Sequence, residues 1–449
     1  MTDNNDAVQA YLDAHPQTEI FEVLLPDLCG GLRGKWITRD KIKKVFAGQL
    51  KIPLSSIAFD VWGRDGEEWV FDSGDGDGYC EADSRTLAPV PWLQRSTGQV
   101  VVSMREVGGA HCDYDSRHII RTLMLKFADL GLKPVVASEM EFYLFRDERD
   151  SLGRPVHTQS DRLGGALASG QTYGIDTMEE MAELLHAIRD ACAAQGLPID
   201  TLIKESAPSQ YEINLYHNDD ALVAADQAMM LQRAIKGVAR QHDLLATFMA
   251  KPFGDLAGNG MHLHCSLVDE QGNNAFYDGS EGGNELLRHA IAGCLASMED
   301  CMLLFAPNLN SYRRFQRGTH APLAPSWGYE NRTVAVRVPA DQPEATRLEH
   351  RVAGADANPY LVVAAILAGM LCGIEKGLQP PPALEGNAYD QLPPSLPRYW
   401  PDALARFESS GFIRDYFGES FREVYAILKR QELDEFDRHV TPLEYDACL

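Results

Sequence analysis

Four short segments of this 449-residue chain repeat one pattern, in which apolar side chains alternate with polar or charged ones at the two-residue period of a β-strand. In VVASEMEFYLF, residues 135–145, Met140, Phe142 and Leu144 point one way while Glu139, Glu141 and Tyr143 point the other. In SQYEINLY, Glu212, Asn214 and Tyr216 share a face. In NGMHLHCSL, His262, His264 and Ser266 do so, opposed by Met261, Leu263, Cys265 and Leu267. In TRLEHR, Arg347, Glu349 and Arg351 are on one side and Leu348 on the other. A chain written this way must build a sheet with one face in a core and the other lining a polar recess.

Carboxylates on a mostly apolar strand are costly when buried and unpaired. A solvated sheet face would explain one such strand, and a lone histidine there is more often a hydrogen-bonded core group than a ligand. Four strands with the same pattern point instead to one pocket lined by five glutamates, Glu205 included, and at least one histidine. Like charges so close oppose folding unless something compensates them. Oxygen-rich ligation with an imidazole suits Mg²⁺ or Mn²⁺ better than zinc, and five carboxylates exceed the needs of one ion, so two or more ions are expected.

Arginine forms the second constellation: Arg313, Arg314 and Arg317 in NSYRRFQRG, Arg332 and Arg337 in NRTVAVRVP, and Arg347 and Arg351 around Glu349. Guanidinium forks bind carboxylate and phosphate at two points. Surface salt-bridging is the plain alternative, but several of these arginines alternate with apolar residues. Divalent ions with converging arginines suit phosphoryl transfer. The chain has no G-x-x-x-x-G-K-[ST] and no kinase motif set, so a nucleotide site must be of another kind.

The rest of the chain sets the frame. Residues 5–15 and 39–47 read as helices; residues 20–25, 56–61, 69–72 and 100–105 read as strands, with a turn-rich loop at 73–78. The first part is thus a small, mainly β domain. Helical spacing follows at 116–130, 178–195 and 222–242, with a proline-rich ordered loop at 380–397. The net charge of −24 argues against a nucleic-acid partner. Nine scattered cysteines without C-x-x-C fit thiols in a reducing compartment. The N-terminus shows no signal peptide, and the apolar run at 361–374 is too short for a bilayer and reads as a buried helix. A cytoplasmic protein with no membrane contact is expected.

Taken together and in order, SEMEFYLF, KESAPSQYE, KPFGDLAGNGMHLHCS, NSYRR, NRTVAVRVP and RLEHR resemble the glutamine synthetases of the bacterial class I type, from end to end. The resemblance implies an α+β fold: a small N-terminal β-grasp domain (1–112) and a large catalytic domain (113–449) on a curved antiparallel sheet flanked by helices. It implies Glu141, Glu205 and Glu212 as ligands of one divalent ion and Glu139, His262 and Glu349 of another, with ATP bound near His264, Ser266, Arg337 and Arg347. Asn259 and Gly260 fall in the loop that holds glutamate, and Arg314, Arg332 and Arg351 match arginines for glutamate and the transferred phosphate. ATP would phosphorylate the γ-carboxylate of glutamate, and an amine would then displace phosphate. Catalytic roles fall on Asp60, Glu212, His320 and Arg332. Subunits of the family form double rings, here expected as a homo-oligomer, a dodecamer, in which a neighbour's N-terminal domain completes each site.

The departures concern the amine. Ammonia-using members carry Asp-Gly-Ser-Ser where this chain has Asp60-Val61-Trp62-Gly63, and a flap glutamate where this chain has His320 in Gly318-Thr319-His320-Ala321-Pro322. An imidazole can still accept a proton near neutral pH. These segments resemble the branch of γ-glutamylpolyamine synthetases, also called glutamate–putrescine ligases, which implies putrescine or another polyamine as acceptor and a place in polyamine catabolism. Ammonia and other alkyl amines such as ethanolamine are the alternatives, and an inactive structural relative is a third reading that the full ligand set opposes. Trp62 suits either the methylene chain or distal ammonium of an alkyl amine, or plain domain packing. Tyr389, in NAYDQLPP, resembles a tyrosine that is adenylylated in some glutamine synthetases and is read here as structural.

Overall fold

The computed structural model describes residues 2–66, 69–70, 74–160, 165–166, 171–280, 282–339 and 342–449. Two sheets organise it. In the first, the described strands are β1 (Ile20–Pro26), β2 (Leu32–Thr38), β3 (Lys51–Pro53), β4 (Asp77–Ala82), β5 (Ala88–Pro89) and β6 (Thr97–Arg105), in the order β2-β1-β6-β4-β3 with β5 beside β6. The β1–β6 pair is parallel and the others antiparallel. The expected strand at 56–61 is absent. Pro53 precedes a 3₁₀ turn at Leu54–Ile57, and residues 59–65 close a tight loop through an Asp60 N–H bond to the Arg64 carbonyl. Only Ile57, Ala58 and Phe59 are consecutive apolar residues there, too short a stretch to show the alternation of a strand. Trp69 and Val70 are helical rather than extended, and Phe71, Asp72 and Ser73 lie outside the described residues.

The second sheet carries the chemistry. Its strands are β7 (Lys133–Arg149), β8 (Pro155–His157), β11 (Ile199–Lys204), β12 (Gln210–Leu215), β13 (Leu244–Thr247), β14 (Met261–Val268), β15 (Trp327–Tyr329), β16 (Val336–Val338) and β17 (Leu348–His350). A separate pair, β9 (Gln159–Ser160) and β10 (Gly165–Ala166), stands apart. The order is β11-β12-β7-β14-β17-β16-β15, with β13 and β8 along the length of β7. Every pairing is antiparallel except β15–β16. The alternation read from sequence holds: Met140, Phe142, Leu144, Met261, Leu263, Cys265, Leu267 and Leu348 are buried in one core.

That core is closed by helices Ser116–Asp129, Ala221–Gln241, Glu285–Ser297 and Pro359–Lys376. The last two cross at glycines: a Cβ at Gly293 would stand 2.0 Å from the Gly369 carbonyl oxygen, so no larger residue permits this approach. Pro359–Lys376 is apolar enough to resemble a membrane span, but 83% of it is buried in the protein. The expected helix at 178–195 is broken at Met181 into Ile175–Glu180 and Ala182–Ala194. Seven of the nine cysteines are buried and all are free thiols. The sheets are joined by buried charge. Arg117, fully enclosed, pairs with Asp226 at 2.6 Å and Asp83 at 2.9 Å, and Tyr360 donates to Asp226.

Candidate active site

Strand register decides which polar side chains meet. Glu212 of β12 lies opposite Glu141 of β7, Asn214 opposite Glu139, His262 of β14 on the other side of Glu139, and His264 opposite Glu349 of β17. Glu205 joins from the turn after β11. There Lys204, buried, donates from Nζ to the carbonyls of Glu205 (2.6 Å) and Ala207 (2.7 Å), shaping the turn that presents the carboxylate. Two groups result, each with donor atoms within 4.8 Å of one another: Glu141, Glu205 and Glu212; and Glu139, His264 and Glu349.

The two groups differ in charge compensation. Burial raises Glu212, and the neighbouring carboxylates of Glu141, Glu139 and Glu205 push it further, to about 9. Glu141 is raised to about 7 by burial and by Glu205, despite a 2.6 Å bond from the Gly260 N–H, and Glu205 is raised as well, burial leading. Three crowded carboxylates, each raised by burial, are a donor set that fits a hard divalent ion. In the second group burial also opposes charge, but hydrogen bonds from His262 and His264 outweigh it and hold Glu139 well below the usual carboxylate range. Glu349 is likewise lowered, its burial offset by Arg351, His262 and His264.

The histidines divide their work. Arg347 donates from Nε to Nδ1 of His264 at 3.1 Å, so that nitrogen carries no proton. Nε2 therefore holds the proton and donates to Glu139 at 2.7 Å. His262 lies 3.2 Å from Glu139 and 3.7 Å from Glu349, and burial together with Arg351 lowers its pKa. A neutral imidazole is the form that ligates a metal. In this arrangement both imidazoles bond Glu139, and His264 also links it to Arg347.

The arginines are mostly engaged. Arg351 pairs with Glu349, and Arg337 bridges Glu349 at 2.8 Å and Glu330 at 3.3 Å. Arg314, buried, donates to the Val352 carbonyl at 2.7 Å and feels the charge of Glu141. Gly260 permits this crowding, since a Cβ there would meet Arg314 at 2.9 Å and His262 at 3.1 Å. Arg332 is exposed, and its charge acts on Glu205. Asn259 sits in the loop expected to hold glutamate. It is fully buried, with Nδ2 donating to the Met249 carbonyl and Oδ1 accepting from Gln210, so its side chain shapes the loop. Gln210 went unnoticed in the sequence, although it shares the parity of Glu212.

A cleft of about 980 Å³ opens beside the second group, lined by Glu139, His264, Ser266 and Arg347 as expected, and also by Asp200, Tyr216, Asn273 and Tyr277. Tyr216 shares the face of Glu212 and Asn214, while the other three lie on loops and a strand end, where no periodicity marks them. Asp60 and Trp62 pack elsewhere, against helix Glu419–Asp437. Asp60 bonds Gln431, and Trp62 meets Phe436 at 5.4 Å between ring centres. His320 is exposed, in a left-handed conformation (φ 58°) outside regular structure. Tyr389 donates to the Ala321 carbonyl at 2.8 Å, tying down the segment that carries His320.

Comparison with known proteins agrees with this geometry. Residues 113–448 match the glutamine synthetase catalytic domain. The chain is 38% identical to γ-glutamylputrescine synthetase PuuA of Escherichia coli K12, covering 98% of this chain and 94% of that protein. It is 35% identical to γ-glutamylethanolamide synthetase GlnA4 of Streptomyces coelicolor (83% and 79% covered) and 34% identical to a glutamate–isopropylamine ligase of a Pseudomonas species (94% and 93%). A GmaS–ADP complex superposes with a TM-score of 0.85 at 25% identity, covering 98% and 99%. Two carboxylate groups on one sheet face, the arginines around them and relatives alike along nearly their whole length lead to one assignment: the chain belongs to the glutamine synthetase family.

Proposed function

We propose that this protein joins the γ-carboxyl group of glutamate to an alkyl amine, putrescine or a related polyamine, with cleavage of ATP. The observation that carries the reading is the pairing of a complete two-group carboxylate floor with an altered amine end, Val61 and Trp62 after Asp60 and His320 in the flap. Glu141, Glu205 and Glu212 would hold one divalent ion, and Glu139, His262 and Glu349 another; when bound, such ions neutralise charge on the phosphates and the acyl phosphate. ATP would lie in the cleft by Ser266, His264 and Arg347, with Arg337 behind Glu349. Arg314 and Arg351 support the glutamate loop at Gly260, and Arg332, exposed and close to Glu205 in charge, would meet the transferred phosphate. Asp60 would receive the amine, with Trp62 beside its carbon chain, and His320 would take the proton that the amine sheds as it attacks the γ-glutamyl phosphate.

The domain division at 112/113, the cytoplasmic location and a double ring in which one subunit's Asp60 loop serves its neighbour's site belong to the same proposal. The test is an amine panel scored by ATP- and glutamate-dependent phosphate release with Mg²⁺ or Mn²⁺. Putrescine is expected to exceed ammonium in kcat/KM by about tenfold or more, on the order of the discrimination that one or two lost contacts produce. Equal or better turnover with ammonium would restore a glutamine synthetase in the strict sense.

A further inference from the structure

Asp60 is fully buried, and its carboxylate is saturated. Oδ1 accepts from the backbone N–H groups of Trp62 and Arg64, both at 2.9 Å. Oδ2 accepts from Arg64 Nε at 2.7 Å and from Gln431 Nε2 at 2.9 Å. A carboxylate offers about four acceptor sites, so an incoming ammonium must displace a donor. The two N–H groups belong to the turn itself, which is closed by Asp60 N–H to Arg64 O and Gly63 N–H to Asp60 O, both at 2.9 Å, and cannot leave without opening it. The Arg64 side chain is the exposed donor, 44% accessible, with a second anchor at Glu435, 3.1 Å away. Its guanidinium stands 4.6 Å from the Trp62 ring centre. It thus covers both the carboxylate and the aromatic face that suit an alkylammonium.

We infer that Arg64 is a displaceable cation that competes with the amine for Asp60 and sets which amines can bind. Ammonium gains only the carboxylate when Arg64 swings to Glu435, whereas an alkyl amine also gains the indole surface that the guanidinium vacates. The threshold that Arg64 imposes therefore falls harder on ammonium. This rests on the reading that Asp60 receives the amine.

Steady-state kinetics of Arg64→Gln test the inference. The amine KM should fall severalfold and the preference for alkyl amine over ammonium should narrow, with the KM values of glutamate and ATP unchanged. Arg64→Lys, which keeps a cation but loses the planar fork, should move the amine KM in the same direction by a smaller factor, and it decides the matter if Arg64→Gln does not fold. Millimolar guanidinium chloride should compete with the amine in Arg64→Gln and less so in the parent. An amine KM that stays level or rises in a normally melting Arg64 variant would overturn the inference. Asp60→Asn separates the two ideas. If it leaves the amine KM untouched, the reading of Asp60 fails. If it raises the amine KM while the Arg64 variants lower nothing, only the competition fails.

Discussion

The two carboxylate groups sit side by side on one polar sheet face and are built from the same residue type, yet their electrostatic states are opposite. Glu141, Glu205 and Glu212 are all raised, by burial first and then by neighbouring carboxylates, Glu139 among them. Glu139 and Glu349 are lowered, because histidines and Arg351 outweigh an equally adverse burial. The first group depends on something from outside the chain to neutralise it, while the second brings much of its own compensation. The division matches two tasks. A group whose nearby cations do not offset its burial is open to ions and to a positively charged amine; one with arginines and histidines bonded to its carboxylates is prepared for polyanionic phosphates.

The largest expected effect comes from the uncompensated group. Glu212→Ala removes one of only three carboxylate donors in that group, so kcat/KM should drop on the order of 10³-fold, the scale at which a preorganised charge-stabilising contact is lost. The purified variant should keep its elution volume and melt no earlier than the parent when both are metal-free. Retained glutamyl transfer in this variant would mean that the first group does not hold a catalytic ion.

Next in size is a pH effect on the metal-free protein. Glu212 binds its proton up to about pH 9 when folded, against 4.5 for an ordinary glutamate. Between those values the folded chain holds a proton that the unfolded chain has released, so stability falls as pH rises. Chelated protein should therefore melt roughly 4 °C lower at pH 9 than at pH 6, because one proton is worth about 1.4 kcal/mol per pH unit over this window and a chain of this size unfolds with an entropy of about 0.9 kcal/mol per degree. Millimolar Mg²⁺ should restore it by binding the folded form. Glu212→Gln should flatten the slope. A slope that is already flat in the parent would remove the contrast between the two groups.

Much of this site was legible because strand parity is a hard constraint: once Met140, Phe142 and Leu144 enter the core, Glu139 and Glu141 must face away from it. Parity says nothing about partners. That Glu349 meets Arg337 follows from the register of β16 on β17, and that Glu205 reaches Glu141 follows from a turn held by Lys204. The bond from Gln431 to Asp60 spans 371 positions, and no local pattern announces it. The mistaken strand at 56–61 has the same origin, since three apolar residues between Ser56 and Asp60 fit a buried turn as well as a strand. The bonds that Asn259 makes within its loop, to Gln210 and the Met249 carbonyl, were likewise out of reach of any local pattern.

Arg337→Met sharpens the comparison by pushing the second group toward the state of the first. Glu349 would keep Arg351 but lose the Arg337 guanidinium at 2.8 Å. The KM for ATP should rise by about 10- to 100-fold, as is usual when a residue behind a ligand is removed. The metal-free protein should also gain a steeper loss of stability toward alkaline pH. A higher KM with no change in that slope would show that Arg337 acts on the nucleotide alone.

The smallest effect is expected at the outer edge of the same network. Glu330 pairs with Arg337 at 3.3 Å but is half exposed, so solvent and salt screen the contact. Exposed pairs contribute about 0.2–1 kcal/mol, so Glu330→Gln should change the KM for ATP by no more than about threefold, and 0.5 M salt should erase even that. The comparison turns on this weakness. If the second group owes its low pKa values to Arg351 and the histidines, which are enclosed, then loosening an exposed outer partner must leave the alkaline slope of the metal-free protein unchanged. A slope as steep as that of Arg337→Met would mean that Glu330 orients the guanidinium onto Glu349, and that compensation of this group extends to the surface.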